Sequence, residues 1–147
     1  MPFKTFEEAE SDLKARRPEA RGAPNAIRRM PTHCGDDTCA SCVVAGDTIY
    51  LAHHAGGHDK PDVEYQMRAS FERMKQTLAS VGATLDDMVQ INLYLKNIED
   101  FPKARDVFRE YFSKDAMPAR MSTTTAFVDP WCLCMLDGVA YRPGGGR

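Results

Sequence analysis

Between Val63 and Leu95 the apolar residues change period within a short stretch, and that change constrains the fold more than any other feature. Met67, Phe71, Met74, Leu78 and Val81 recur at steps of four and three, so they share one face of a helix. Asp62 is a good N-cap for it, and Gly82 supplies the left-handed residue that ends it. From Met88 to Lys96 the step falls to two, with Val89, Ile91, Leu93 and Leu95 on one face and Gln90, Asn92 and Tyr94 on the other. A helix followed by such a strand must lay its apolar stripe on a sheet that includes that strand. Met67 and Met74 are read as core packing rather than as a cofactor box.

The remaining runs complete a small alternation of elements. Cys42–Ala45 and Thr48–Ala52 are short β-leaning runs on either side of Gly46–Asp47, a turn dipeptide, so they form a hairpin. A second helix is predicted from Asp100 to Ser113, with Pro102 in its first turn and Phe101, Ala104, Val107, Phe108, Tyr111 and Phe112 as its buried stripe. Two further β-leaning runs, Arg120–Val128 and Trp131–Tyr141, are joined by Asp129–Pro130. The fold class is therefore α+β, with two helices on one face of a single mixed sheet. The other face carries Thr, Met and Asp in the last strands, a mildly polar surface that a second subunit would complete.

Residues 33–143 form the domain on this reading. Residues 1–32 are an N-terminal arm, with a helix starting near Phe6 from the capping-box spacing of Thr5 and Glu8, and residues 144–147 are a frayed tail. Against 19 Lys and Arg stand 21 Asp and Glu, which argues against nucleic acid, whose phosphates require a basic face. No apolar run approaches the roughly 18–20 residues of a membrane span, and the charged N-terminus lacks the apolar core of a secretory signal. A cytoplasmic protein is expected, with its five cysteines reduced rather than paired in a disulfide framework.

From Gly46 to Pro143 the chain resembles the Rid/YjgF family of reactive-intermediate deaminases. The resemblance is carried by Gly46-Asp47, by Leu78-Ala79-Ser80-Val81-Gly82 closing the long helix, and by Asn92-Leu93-Tyr94-Leu95. It continues through Glu99-Asp100-Phe101, then Met117-Pro118-Ala119-Arg120, similar to the family's Pro-Ala-Arg signature, and Leu136-Asp137-Gly138-Val139-Ala140. It implies a chorismate-mutase-like fold and a homotrimer with a central barrel and three inter-subunit clefts. It also implies a small carboxylate-bearing substrate, deaminated hydrolytically from an imino or enamino acid to a keto acid and ammonia. Arg120 is then the carboxylate anchor, a role its planar fork suits.

The family's water-positioning glutamate, fifteen residues after that arginine, corresponds to Met135 here. Asp137 is the nearest carboxylate on the same strand face, Ser122 stands where the family commonly has a cysteine, and Ala52-His53-His54 replaces its Ser-Gly-Gln. The family's pocket-lining tyrosine falls near Cys39. Arg120, Ser122 and Met135 are therefore the candidate substrate-binding residues, and His53, His54, Asp137 and Cys39 the candidate catalytic ones. Of the two adjacent histidines only one can enter a cleft directly, as a general base, and His58 is read as solvent-facing. A non-deaminating protein that binds a carboxylate metabolite, or a thiol- or metal-assisted enzyme, is the alternative. No cofactor is expected. If a metal were held, two of Cys34, Cys39 and Cys42 with His53 or His54 would suit zinc, and the spacing of the three cysteines also matches the first three ligands of a plant-type iron–sulfur loop. Packing as small hydrophobes fits Cys132 and Cys134 best.

Overall fold

Nearly every apolar run forms the element its period predicts. The structure, a computed structural model, describes residues 27–143. Its elements run β1 (Ile27–Arg29), β2 (Cys42–Ala45), β3 (Thr48–His54), α1 (Val63–Ser80), β4 (Met88–Leu95), α2 (Phe101–Tyr111), β5 (Ala119–Thr124) and β6 (Cys134–Tyr141). The strands form one sheet in the order β1-β2-β3-β6-β4-β5, in which β4 and β5 are parallel and all other neighbours antiparallel. The parallel pair is joined through α2, as a crossover requires.

α1 shows how local chemistry sets the frame. Its N-cap Asp62 accepts a hydrogen bond from the Tyr65 amide at 3.1 Å. At the other end Gly82, at φ 75°, lets the Ala83 amide reach the Leu78 carbonyl and the Gly82 amide reach that of Ala79, at 2.9 and 3.1 Å. That double bond is a Schellman cap. Between these ends Met67, Phe71, Met74 and Leu78 are fully buried. Phe71 meets α2 and the residue after it, with its ring 5.1 Å from Phe108, 4.6 Å from Tyr111 and 5.8 Å from Phe112. A buried phenylalanine with such partners contributes about 2–3 kcal/mol from area alone.

The sheet departs from the expected pattern at three points. β1 lies inside the stretch read as an arm, pairing Ile27, Arg28 and Arg29 with Ala45, Val44 and Val43. All three of its residues are exposed, so no buried alternation marks it. A bulge between Met88 and Gln90 turns Met88 into the core and leaves Val89 about half exposed, against the expectation that Val89 shares the buried face of Ile91. β5 ends at Thr124 and β6 begins only at Cys134. The segment between them is held to α1 by the buried Gln66. Its amide nitrogen donates to the Lys60 and Trp131 carbonyls at 2.9 and 3.0 Å, and its oxygen accepts from the Leu133 amide at 2.8 Å. The helix predicted near Phe6 and the frayed tail lie outside the described residues.

Both helices cover one face of the sheet. The opposite face carries Tyr50 opposite Val139, Asn92 opposite Asp137, Tyr94 opposite Met135, and Met121 beside Asn92. None of these is buried, and Tyr50 and Met121 are more than half exposed.

Candidate functional site

β5 is the edge strand, and its register decides where Arg120 and Ser122 lie. Arg120 pairs with Ile91 and Ser122 with Leu93, both core residues beneath the helices, so the two side chains belong to the helix-covered side. There the Arg120 guanidinium sits over the rings of Phe108 and Phe101, at 5.1 and 5.4 Å. Burial pushes its pKa down, and the Arg105 charge adds to that effect. Arg105 is itself paired with Asp106 at 3.5 Å, whereas among the described residues Arg120 forms no ion pair. A hollow of about 620 Å³ extends along the same edge, lined by Leu95, Glu99, Phe101, Pro102, Ser122, Thr123 and Thr124. This edge thus offers a cation without an ion pair among the described residues and, in the hollow beside it, the Phe101 ring and the Ser122, Thr123 and Thr124 hydroxyls, groups that suit a small carboxylate.

Met135 and Asp137 lie on the other side of the sheet. Asp137 accepts from the Asn92 side-chain amide at 2.7 Å and from the Tyr94 hydroxyl at 3.0 Å. Burial and the Asp137 carboxylate raise the Tyr94 pKa, which keeps that hydroxyl protonated as a donor. Within one chain, therefore, Arg120 and Ser122 do not meet Met135 and Asp137.

The two histidines separate as adjacent strand residues must, with a bulge between Leu51 and His54 adding to the offset. His53 is exposed. His54 is fully buried, with Nδ1 2.7 Å from the Ala52 carbonyl and Nε2 2.8 Å from the Thr77 hydroxyl. Nδ1 donates to the carbonyl, so Nε2 accepts from Thr77 and the ring is neutral. Burial lowers its pKa to about 4. Both His54 nitrogens are thus engaged inside the core, away from solvent, whereas the His53 side chain is the accessible one of the two. His58 is not free in solvent as read from sequence: its Nδ1 lies 2.9 Å from an Asp129 carboxylate oxygen, which ties the loop after β3 to the loop before β6.

Cys34 is exposed and Cys39 half-buried, while Cys42 faces the core, with its pKa raised by burial. The three are thus not presented to one point. Among the described residues no three His, Cys, Asp or Glu side chains converge as a metal-ligand set. Cys132 and Cys134 are fully buried, and burial holds the Cys134 pKa at about 12.

His33 is more central than its sequence position suggested. Its Nε2 donates to the His53 carbonyl at 2.7 Å, and its ring stacks on His54 at 4.2 Å between centroids. It also lines a hollow of about 590 Å³ with Thr32, Ser41, Arg73, Gln76 and Thr77. The helical steps Arg73, Thr77 and Ser80 along one side of α1 were the available signal for this second polar hollow.

The family described as endoribonuclease L-PSP matches residues 39–140. The chain belongs to that family, the Rid/YjgF proteins. It is 32% identical over 99 residues to a RutC family protein of Pyrococcus abyssi, covering 67% of this chain and 76% of the relative. It is 28% identical over 93 residues to the 2-iminobutanoate/2-iminopropanoate deaminase of Dermatophagoides farinae, covering 59% and 72%. Among solved structures, a yjgF-family protein of Streptococcus pyogenes superimposes with a TM-score of 0.72 at 33% identity, over 80% of this chain and 98% of that one. The single α+β domain with two helices on a mixed sheet is the fold of that family. No helix among the described residues is long and apolar enough to cross a membrane.

Proposed function

We propose that this Rid-family chain hydrolyses a small 2-imino acid, or its enamine tautomer, to the 2-keto acid and ammonia. The observation that carries the reading is Arg120, a partly desolvated guanidinium over the rings of Phe101 and Phe108 that has no carboxylate partner among the described residues. A relative of this chain is named for deamination of 2-iminobutanoate and 2-iminopropanoate. In the proposed reaction Arg120 takes the substrate carboxylate with two parallel hydrogen bonds, and Ser122 adds a hydroxyl on the same wall. Water adds to the imine carbon, the nitrogen takes a proton, and the carbon–nitrogen bond breaks to release ammonia. The imine is already electrophilic, so positioning and one proton acceptor suffice.

The acceptor must come from the sheet's other face, where Asp137 and the exposed His53 stand. A homotrimer supplies that convergence, because a second copy seated on the open face brings its own groups to the edge that carries Arg120. Cys39 lies in the same early loop as His33, and Met135 contributes an apolar wall. An RNA substrate fits the chain less well: 21 acidic against 19 basic residues do not make the positive surface that phosphates need.

A second reading rests on Met135. A thioether cannot accept a proton, so a cleft with this residue at the water-positioning place suits a binder of a carboxylate metabolite without turnover. The test is release of ammonia and keto acid from a freshly generated 2-imino acid, alongside Arg120→Ala and Arg120→Lys, with folding checked by circular dichroism. Acceleration that falls at least tenfold in Arg120→Ala, and is only partly restored by Lys, is the expected result. Saturable binding of the keto acid without any acceleration would overturn deamination in favour of the binder.

A further inference from the structure

We propose that Cys34 and Cys39, in the loop between β1 and β2, form a reversible dithiol–disulfide pair that reacts with low-molecular-weight disulfides. The two sulfurs share one hydroxyl: Thr32 Oγ1 lies 3.4 Å from Cys34 Sγ and 3.9 Å from Cys39 Sγ. The backbone between them reverses. Gly35 adopts φ 77°, where a side chain would be strained, and Asp36 Oδ1 accepts from the Thr38 amide at 2.9 Å. The Cys39 thiol is also 3.8 Å from the Asp36 carbonyl, which directs it back toward Cys34. The other three cysteines are buried, so these two are the accessible thiols of the described chain. A hollow of about 400 Å³ opens on Cys39 beside Thr32 and Thr38, room for the tail of a small disulfide reagent.

The surroundings also divide the roles. Cys34 is exposed, and hydrogen bonds from the Thr32 hydroxyl and the Asp36 backbone lower its pKa, so it supplies the attacking thiolate. At Cys39 the Thr32 hydroxyl pulls the same way, but burial and the neighbouring Cys34 outweigh it and raise the pKa, as suits the resolving thiol. In the first step Cys34 thiolate attacks one sulfur of the reagent, forming a mixed disulfide and releasing one reagent thiol. Cys39, deprotonated in turn, then attacks Cys34 Sγ and displaces the second reagent thiol. Two protein thiols are oxidised and one reagent disulfide is reduced to two thiols. The ring so closed adjoins His33, whose bond to the His53 carbonyl anchors this loop to β3.

The experiment treats the fully reduced protein with oxidised glutathione at neutral pH. Free thiols are then blocked under denaturing conditions, and the chain is cut before aspartate for mass spectrometry; Asp36 and Asp37 lie between the two cysteines, so a bridge joins two peptides. The expected product is a Cys34–Cys39 link that dithiothreitol reverses, with Cys42 blocked as a free thiol. Cys39→Ser should instead accumulate glutathione on Cys34. Thr32→Val should slow the first step about threefold, as loss of a hydrogen bond worth about 1 kcal/mol to the thiolate is partly offset by its greater nucleophilicity. A stable glutathione adduct on Cys34 of the unaltered protein, a bridge to Cys42, or no loss of free thiols would each overturn the assignment.

Discussion

Replacing Gln66 by methionine isolates the contribution of a single buried amide. The side chain is fully buried and makes three hydrogen bonds, all to backbone groups outside its own helix: the carbonyls of Lys60 and Trp131 and the amide of Leu133. Methionine nearly conserves its length and volume, so the cavity term that alanine would add is avoided. Each lost bond is worth about 1 kcal/mol net, and the orphaned Leu133 amide is the least able to find water instead. The sum is about 3 kcal/mol. With an unfolding entropy of roughly 2 cal/mol/K per residue for a domain of this size, Tm should fall by roughly 10 °C. Thermal and denaturant unfolding at matched protein concentration would measure it, and hydrogen exchange should show the loosening concentrated at residues 129–133. If Gln66→Met stays within about 0.5 kcal/mol of the parent, the amide is not what fastens that segment to α1, and the reasoning fails.

Three further outcomes follow from other parts of the molecule. Gly138→Ala should destabilise by at least about 1–3 kcal/mol in chemical denaturation, because an added Cβ would stand 2.2 Å from the Gln90 carbonyl oxygen, a backbone atom that cannot swing aside; an unchanged midpoint would mean the bulge of β4 shifts freely. Acid should weaken the fold through His54. Its folded pKa of about 4 lies below the ordinary 6.5, so the unfolded chain binds the proton first, and stability present above pH 6.5 is lost as the pH falls toward 4, by about 3 kcal/mol. Burial lowers His33 in the same direction, so His54→Gln should flatten the pH profile without abolishing it, and an equally steep profile in that variant would refute the assignment. For Arg120, isothermal titration with a 2-keto acid should show affinity reduced at least tenfold in Arg120→Ala; unchanged affinity would remove its role as the anchor.

The periodicities carried most of the architecture. The three-and-four step of α1, the two-step of β4 and the Gly46–Asp47 turn each dictate local geometry directly, and the order of elements then admits few sheets. The Pro118-Ala119-Arg120 segment likewise singled out Arg120 as the candidate anchor, and the structure places its guanidinium over Phe101 and Phe108. Local pattern could not show β1, because its three residues bury nothing and are ordered only by pairing with β2. The exposure of Val89 depends on a bulge set by the register with β6, and register is a property of two strands rather than one. His53 and His54 look alike in sequence, yet Thr77, twenty-three residues away, makes one of them a sealed core residue. The separation of Arg120 from Asp137 is of the same kind: both lie on neighbouring parts of one sheet, but the pleat sends them to opposite faces. The sequence by itself thus determined both helices, the hairpin and the strand between the helices, and nominated Arg120 as the candidate anchor. Only the tertiary structure decided which groups share a face, because side-chain convergence follows from strand register and packing across long separations in the chain.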